Sequence, residues 1–394
     1  MKYLIIVPDG ISDCCVADRE TVTPMQKADT PCIDGLSSSG IQGLAKICGG
    51  SVKPEQSLTL LSLFGADPVK IKYSAPAVRF TGEGNTLDKD DVCLCCAFVT
   101  EYESEKQRYL KLLGDDITPE ESEELFSCLR SELENDVFRF YKGKEKYDYI
   151  VWKKGEPKAG TLYSPDEFER LTLDELLPKG DFIFPLQRLM QKSVDIFAEH
   201  PINKERVERG KPAIAGIWIW DESVLPDVIS FRQMFGIEPV IITDSYSAAG
   251  AARCLSVPVE LIRGGLSEMA EAASEVLEKN DAAVVVTDRA ALCSLSGDEQ
   301  KKISCIEEID RELIGSILKK TFEELSVLIV PSFTVSVKKQ EATADFVPYM
   351  IYIDGAHCNS GSKTGFSEKT AFAAGDYMSG GRELMEKFFH PSCL

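Results

Sequence analysis

Histidine is nearly absent from this chain. Only three of its 394 residues are histidines, at His200, His357 and His390. Enzymes that hold a pair of divalent metals need several Asp and His ligands close together. The three histidines are few and scattered, so the chain offers little material for such a site.

Long apolar runs and an excess of basic residues are also missing. No run approaches the ~20 apolar residues that a membrane-spanning helix needs, and residues 1–10 do not resemble a secretion signal. Only 44 Lys and Arg oppose 64 Asp and Glu, and the net charge of −20 disfavours nucleic acid and anionic membranes as partners. We therefore expect a cytoplasmic protein in which an anionic ligand needs a local basic site.

Thirteen cysteines, without a secretion signal, predict a reducing compartment rather than a disulfide framework. Cys93 and Cys96 have the CxxC spacing of a zinc site, and Cys14 and Cys15 follow a short way after Asp9. Alternation along a strand turns Cys93 and Cys96 to opposite faces, however. We therefore expect buried free thiols and no structural zinc.

A carboxylate follows the first strand-like run. Residues 3–7 are apolar, and the run ends at Pro8-Asp9-Gly10. In α/β enzymes, the carboxyl end of a parallel strand is where a metal ligand or catalytic acid often lies. A carboxylate in such a turn also accepts backbone N–H bonds. The residues alone leave both roles of Asp9 open.

The order of the elements predicts an α/β fold. Strand-like runs at 214–220, 239–243, 259–262, 282–287 and 325–330 alternate with helical stretches at 226–235, 245–254, 268–279 and 298–319. Such alternation builds a mostly parallel sheet with helices on both faces. The middle of the chain has a different rhythm, including an acidic helix at 118–134. We predict a core domain from 1–68 and 185–394, and an inserted smaller α+β domain from 69–184.

Short sequence matches to one known family are spread along the chain. They are KYLIIVPDG at 2–10, LSLFG at 61–65 before Asp67-Pro68, FRFY at 138–141, HPIN at 200–203, IWIW at 217–220, and Thr343-Ala344-Asp345. Together they resemble the archaeal-type cofactor-independent phosphoglycerate mutases of the alkaline phosphatase superfamily. The resemblance implies an alkaline-phosphatase-like core, an inserted cap domain and a cleft between them.

The resemblance also implies a chemistry. In this family a Ser takes a phosphoryl group from a phosphoglycerate and returns it to another hydroxyl, with two divalent metals held by Asp and His. It implies that Asp9 is a metal ligand and that Asn203, Arg206 and Arg209 contact the substrate, a role for which Arg is well suited. The alternative for these last three is a solvated helix with ion pairs along its surface.

Most positions that the resemblance implies for the nucleophile and the metal ligands hold residues that cannot serve as a nucleophile or a metal ligand. An alignment without a gap puts Gln56 at the nucleophile, whereas a slip of one residue puts Ser57 there. The other implied ligand positions hold Ala291, Leu295, Ser332, Phe333 and Ala342. The Leu, Phe and Ala side chains bring neither charge nor coordinating atoms, and we expect Leu295 and Phe333 to fill the space that metals would occupy.

We interpret the chain as a mutase homologue that lacks the two-metal site, the mutase activity and any cofactor, because members of a catalytic unit act together. It would bind a small anionic metabolite in the cleft, through Asn203, Arg206 and Arg209. The alternative is an active isomerase of glycolysis, or a related phosphotransferase, with Mn or Zn and a site remodelled around Asp9 and Ser57. Lys302 is expected on the surface of the helix at 298–319.

Overall fold

The computed structural model describes residues 1–13, 22–49, 54–145, 147–157, 160–320, 322, 324–354 and 365–390. Cys14, Cys15 and His357, which entered the predictions above, lie outside these residues. The chain divides into two compact units, one formed by 1–82 with 226–394 and the other by 83–225. In the described ranges no helix combines the length and the apolar character needed to cross a membrane.

Strands occur along the whole described chain. They are β1 (Lys2–Pro8), β2 (Ile41–Ala45), β3 (Val92–Ser104), β4 (Gln107–Leu112), β5 (Phe138–Tyr141), β6 (Asp148–Trp152), β7 (Gly216–Ser223), β8 (Pro239–Thr243), β9 (Val259–Leu261), β10 (Ala282–Thr287), β11 (Leu325–Ile329), β12 (Thr334–Ser336), β13 (Glu341–Thr343), β14 (Val347–Ile353) and β15 (Tyr377–Met378).

Helices alternate with these strands. They are α1 (Pro24–Lys27), α2 (Pro31–Ser37), α3 (Gln56–Leu63), α4 (Pro68–Ile71), α5 (Ala75–Gly82), α6 (Pro119–Leu133), α7 (Leu173–Leu176), α8 (Phe184–Glu199), α9 (Pro201–Glu208), α10 (Phe231–Phe235), α11 (Tyr246–Cys254), α12 (Leu266–Lys279), α13 (Arg289–Leu295), α14 (Glu299–Glu308), α15 (Gly315–Leu318), α16 (Glu368–Ala374) and α17 (Gly381–Phe389). A π-helix covers Ile309–Ile314, and 3-10 turns cover Gly114–Asp116 and Pro165–Glu167.

The first unit is built on an eight-stranded sheet in the order β15-β2-β14-β11-β1-β10-β8-β9. Strand β1 lies between β10 and β11 and is parallel to both, with Ile5 opposite Val284 and Leu328. Strands β8 and β9 continue the parallel part, whereas β14 runs antiparallel to β11 and β2. The predicted mostly parallel sheet is confirmed, and the carboxyl ends of β1, β8, β10 and β11 meet at one edge.

The side chains of β1 enter two separate cores. Ile5 and Val7 belong to a cluster with buried residues of α3, α11 and α17. Leu4 and Ile6 belong to another cluster, with residues of α12 and α14. Because successive side chains of a strand point to opposite faces, both faces of the sheet are covered by helices, as the sequence predicts.

The second unit contains a smaller, antiparallel sheet. Its long strand β3 pairs with β4, β6 and β7, and β6 also pairs with β5. Helix α8 packs against β7, where the backbone N–H of Ile217 donates to Ser193 Oγ at 2.9 Å. The side chains of Cys93, Cys95 and Cys96 of β3 are buried thiols in this unit.

The predicted limits of the inserted domain, 69 and 184, are wrong on both sides. Helix α5 belongs to the first unit, because Gly82 lies so close to Tyr246 of α11 that a Cβ on Gly82 would lie 1.9 Å from the Tyr246 oxygen. Strand β7 belongs to the second unit, because it pairs with β3, with Ile219 opposite Cys96. Hydrophobic rhythm along the chain did not reveal which sheet or helix each element joins.

The long helix predicted at 298–319 is interrupted. It consists of α14, the π-helix and α15. The carboxylate of Asp310, in the π-helix, accepts the backbone N–H groups of Cys32 at 3.1 Å and Ile33 at 2.7 Å. These N–H groups begin helix α2 and have no partner inside it. A wider helical turn at this point therefore supplies a cap for another helix.

Lys302 of α14 is fully buried, which contradicts its predicted place on the surface. Its ammonium donates to Ser12 O at 3.0 Å, to Asp13 Oδ2 at 3.2 Å and to Val335 O at 3.0 Å. Asp13 Oδ2 also accepts the N–H of Val337 at 3.1 Å. The Lys302 ammonium thus connects the loop that follows β1 and Asp9 with the segment that follows β11.

Replacing Lys302 by Met is expected to lower the free energy of unfolding by about 3–5 kcal/mol, because it leaves Asp13 and two carbonyl groups without their cation. Lys301→Met is the matched control, since Lys301 is exposed and pairs with Asp298 on the surface at 3.4 Å. It is expected to change stability by less than about 0.5 kcal/mol. Urea unfolding of both variants checks this, and equal effects would contradict the role given to Lys302.

Candidate functional site

Asp9 lies at the carboxyl edge of the parallel sheet, directly after β1, with no exposed surface. Its carboxylate is held by two N–H donors. Gln56 Nε2 donates to Oδ2 at 2.8 Å, and the backbone N–H of Ser332 donates to Oδ1 at 2.6 Å. Both oxygens therefore have partners from the chain itself, and these partners are hydrogen-bond donors.

Gln56 occupies the first position of α3 and connects Asp9 to the segment that follows β8. Its Oε1 accepts a hydrogen bond from Ser245 Oγ, which follows β8. Both ends of the amide are thus engaged, and a bonded amide has no nucleophilic atom to offer. The alignment without a gap, which puts Gln56 at the implied nucleophile, agrees with this position beside Asp9.

Ser57, the other candidate nucleophile, is the next residue of α3. It is fully buried, and its Oγ has no hydrogen-bond partner among the described residues. The donors to Asp9 come from Gln56 and Ser332 rather than from Ser57. A serine nucleophile needs an activating neighbour such as a base, and the described hydrogen-bond contacts of Ser57 Oγ include no basic side chain.

Hydroxyl groups extend the bonding around Asp9. Ser332 Oγ and Thr59 Oγ1 lie 2.6 Å apart, and Thr59 Oγ1 donates to the backbone oxygen of Gln56 at 3.2 Å. Thr59 and Ser332 are both buried. The network joins α3 to the segments after β1, β8 and β11, so several strand ends hold one carboxylate.

Three of the implied ligand positions come together in an apolar cluster. Ala291 and Phe333 are buried with Val335, and Ala342 packs against them. The cluster is close to Asp9, since the N–H of Ala291 donates to the Asp9 backbone oxygen at 3.0 Å. Gly10 permits this approach: its φ is +80°, and a Cβ there would lie 2.3 Å from Ala291 Cα.

Leu295 does not take part in this cluster. It lies at the end of α13 with 45% of its surface exposed, so the expectation that it fills the site is wrong. Phe333 belongs to the buried cluster, and its occupation of a metal position stays a prediction. The alignment assigned both Leu295 and Phe333 to implied ligand positions. In the structure, Leu295 at the end of α13 is instead partly exposed to solvent.

Burial raises the pKa of Asp9 to about 7, from an ordinary value of 3.8. The hydrogen bonds from Gln56 and Ser332 act in the opposite direction, and the negative charge of Asp288 raises the pKa further. Desolvation is the largest of these effects because a carboxylate in a dry site loses its hydration.

The surroundings of Asp9 do not fit a pair of divalent metals. Among the described residues, no group of three or more His, Cys, Asp and Glu side chains is placed to hold a metal ion. Mn²⁺ and Zn²⁺ require several oxygen, nitrogen or thiolate ligands, whereas Asp9 faces two N–H donors and an apolar cluster. We derive no chemical step through a metal here.

The predicted substrate ligand Asn203 lies in the second unit and is used inside it. Its Nδ2 donates to Phe197 O at 2.9 Å and Ile214 O at 3.0 Å, and its Oδ1 accepts the N–H of Ile214 at 2.7 Å. The side chain is buried. Asn203 connects the end of α8 to the segment before β7, and its predicted contact with a ligand stays a prediction that these bonds do not favour.

Arg206 is likewise directed into the unit, with 1% of its surface exposed. Its Nε donates to Pro212 O at 3.1 Å, and its Nη1 donates to Asp116 O at 3.1 Å and Glu121 Oε2 at 2.7 Å. The predicted ligand contact of Arg206 therefore stays a prediction, and these bonds within the unit do not favour it. Its guanidinium is already paired with a carboxylate.

Arg209 is the exposed member of the predicted group. Its Nη2 donates to Glu205 Oε2 at 3.1 Å, one turn earlier, and both side chains are well exposed. This is the surface ion pair that the alternative interpretation of the segment describes. The three residues do not converge on a common ligand position.

Sequence reasoning missed the residues that complete the edge of the sheet. Ser245 follows β8, and Asp244 before it accepts from Arg289 Nε at 2.9 Å and from Thr287 Oγ1 at 3.2 Å. The signal was available in principle, because each of these residues comes at the end of an apolar strand. The resemblance did not draw attention to them, since it implied ligands at other positions.

The pKa of Asp9 predicts a pH dependence of stability. Between about pH 4 and pH 7 the folded protein keeps a proton that the unfolded chain releases, so the stabilisation is full below pH 4 and is lost as pH rises through 7. The total loss is about 4 kcal/mol. Asp9→Asn does not titrate, so its free energy of unfolding, relative to the original chain, is expected to rise between pH 4 and 8.

Urea unfolding at several pH values measures that difference. Asp227→Asn is the control, because Asp227 is exposed and its replacement is expected to give a difference that varies little with pH. A constant difference for Asp9→Asn would show that Asp9 titrates normally in the folded protein.

Arg206 and Arg209 are expected to differ sharply when changed to Ala. Arg206→Ala removes the cation paired with Glu121 and the donor to two carbonyl groups, and it is expected to destabilise the protein by about 3–5 kcal/mol. Arg209→Ala removes one surface pair and is expected to cost less than about 0.5 kcal/mol. Thermal or urea unfolding measures both, and a harmless Arg206→Ala would restore the possibility of a free guanidinium.

Comparison with known proteins gives a consistent result. The family model of 2,3-bisphosphoglycerate-independent phosphoglycerate mutase matches residues 37–203. A probable mutase of that name from Geobacter sulfurreducens is 26% identical over 400 residues, covering 98% of this chain and 99% of the relative. A mutase from Methanosarcina acetivorans is 27% identical over 364 residues, covering 89% and 90%.

Solved structures support the same fold. A protein from Pyrococcus horikoshii matches with a TM-score of 0.79 at 21% identity, covering 98% of this chain and 96% of its own. A cofactor-independent phosphoglycerate mutase from Thermoplasma acidophilum matches with a TM-score of 0.68 at 20% identity, with both chains fully covered. The sequence relatives show that the chain resembles the 2,3-bisphosphoglycerate-independent phosphoglycerate mutases over nearly its whole length, and the solved structures show that it shares their fold.

Proposed function

We propose that this chain is a member of the mutase family that lacks the two-metal site and the mutase activity. One observation carries the proposal: both carboxylate oxygens of Asp9 accept N–H donors, from Gln56 and Ser332, beside an apolar cluster. A divalent cation would have to displace these donors, one of which belongs to the backbone.

The same arrangement argues against turnover by a remodelled site. Phosphoryl transfer depends on positive charge that stabilises the transferring group and on an activated nucleophile. Gln56 offers a bonded amide, and Ser57 offers a buried hydroxyl without a base among its described contacts. An active isomerase or phosphotransferase would need both missing parts from elsewhere.

We further propose that the protein binds a small anionic metabolite related to the phosphoglycerates. The relatives' names supply the chemical class, since they are phosphoglycerate mutases. The contacts of Asn203, Arg206 and Arg209 do not support their use as the binding site, so this part of the proposal concerns the class of ligand.

Purified protein is expected to interconvert 2- and 3-phosphoglycerate at least ~10⁴-fold more slowly than an active relative, with or without Mn²⁺, because the catalytic unit lacks several members. Phosphorus NMR follows the reaction, and the Methanosarcina acetivorans relative serves as the reference enzyme. Elemental analysis of the same sample is expected to find neither Mn nor Zn at one atom per chain. Metal-stimulated turnover that Asp9→Ala abolishes would overturn the proposal.

Ligand binding is measured separately from turnover. Addition of 3-phosphoglycerate is expected to raise the melting temperature, since a ligand that binds only the folded state stabilises it. Sulfate at equal ionic strength is the control for a general salt effect. Equal shifts with both anions would remove the metabolite part of the proposal and leave the loss of activity untouched.

A further inference from the structure

A groove of about 660 Å³ lies within the second unit, between its sheet and helix α8. Val99 of β3, Leu110 of β4, and Ile217 and Trp218 of β7 line it, and all four are buried. Its volume falls within the ~300–1,000 Å³ typical of small-molecule sites, which are mostly apolar. None of the residues discussed around Asp9 belongs to it.

The rim of this groove exposes apolar side chains. Leu177, Phe184 and Val194 line it and have 47%, 66% and 38% of their surfaces exposed. Single exposed apolar residues are common, but several around one apolar concavity are typical of a surface that binds something. An apolar body lying in the groove would bury all three.

The two arginines on the rim, Arg108 and Arg188, differ in their ion pairs. Arg108 lies between two carboxylates, 3.5 Å from Glu101 and 3.6 Å from Asp174. Arg188 of α8 lines the groove and is exposed. No carboxylate in the described part of the chain comes within ion-pair distance of it. Arg188 is therefore the cation on this rim that remains available to an anionic group.

We propose that this groove binds a small molecule with an elongated apolar body and a single acidic head group, with the head at Arg188. The apolar floor matches the body, and the unpaired guanidinium matches a carboxylate or phosphate. A second copy of the chain fits less well, because a net charge of −20 opposes close approach of two copies. This proposal does not depend on the proposed binding of a phosphoglycerate.

Decanoate is a suitable probe, and decyl phosphate tests whether the acidic group can be a phosphate. Both are expected to bind with a dissociation constant below about 1 mM by calorimetry. Decyltrimethylammonium, which has the same body and the opposite charge, is expected to bind at least about tenfold more weakly. Equal binding of all three would overturn the assignment of the head group.

Two substitutions locate the site. Val194→Trp places a large ring on the rim and is expected to weaken decanoate binding by at least about tenfold by filling the groove. Val207→Trp is the matched control, since Val207 is exposed on α9 and does not line the groove. It is expected to leave binding unchanged. Arg188→Glu changes an exposed residue, so it keeps the fold and is expected to abolish the preference for decanoate over decyltrimethylammonium.

Several results would overturn the proposal. These are no binding of decanoate, binding that Val194→Trp leaves intact, and a head-group preference that Arg188→Glu does not change. Sedimentation gives the remaining outcome: a dimer of the original chain that Val194→Trp dissociates, without decanoate binding, would assign the groove to self-association instead.

Discussion

A carboxylate buried at the end of a central strand must find partners, and the first unit is organised around that requirement. Asp9 follows β1, and the strand is covered on both faces, so water does not reach its carboxylate. An unpaired buried carboxylate is too costly to retain in its charged form. Gln56 and the backbone of Ser332 meet the requirement with N–H donors, and Ser245 in turn fixes the Gln56 amide.

The apolar residues beside Asp9 favour the same arrangement of neutral hydrogen-bond donors around its carboxylate. Ala291, Phe333 and Val335 exclude water from the same region, which strengthens hydrogen bonds onto Asp9 and increases the cost of ionising it. Neutral donors suit a carboxylate whose pKa is raised, whereas a cation would suit a fully ionised one. Introducing one polar ligand at Ala291 or Phe333 alone would place a new polar group among apolar side chains, so the effects of substitutions at these positions are coupled.

The sequence predicted much of this architecture, for physical reasons that can be named. The apolar run of β1 requires two covered faces, and alternation of strands and helices requires parallel pairing, so the sheet and the place of Asp9 at its edge followed. The limits of the inserted domain did not follow, because membership of β7 depends on pairing with β3, far away in sequence. The roles of Gln56 and Ser245 also depend on which strand ends become neighbours.

The number of basic residues in a sequence differs from the number of basic side chains that can bind an anionic ligand, because many of them pair with acidic groups of the same chain. Among the described residues, Lys302 and Arg206 are the fully buried cations, and each is paired with a carboxylate and backbone oxygens of the chain itself. In a chain of net charge −20, acidic groups are plentiful, so a basic residue close to others in sequence is easily consumed by internal pairs. Arg188 differs because the groove that it lines is mostly apolar, and the two carboxylates that line the groove already pair with Arg108. Availability is therefore decided by local packing, and an acidic protein can still present a single cation beside an apolar surface.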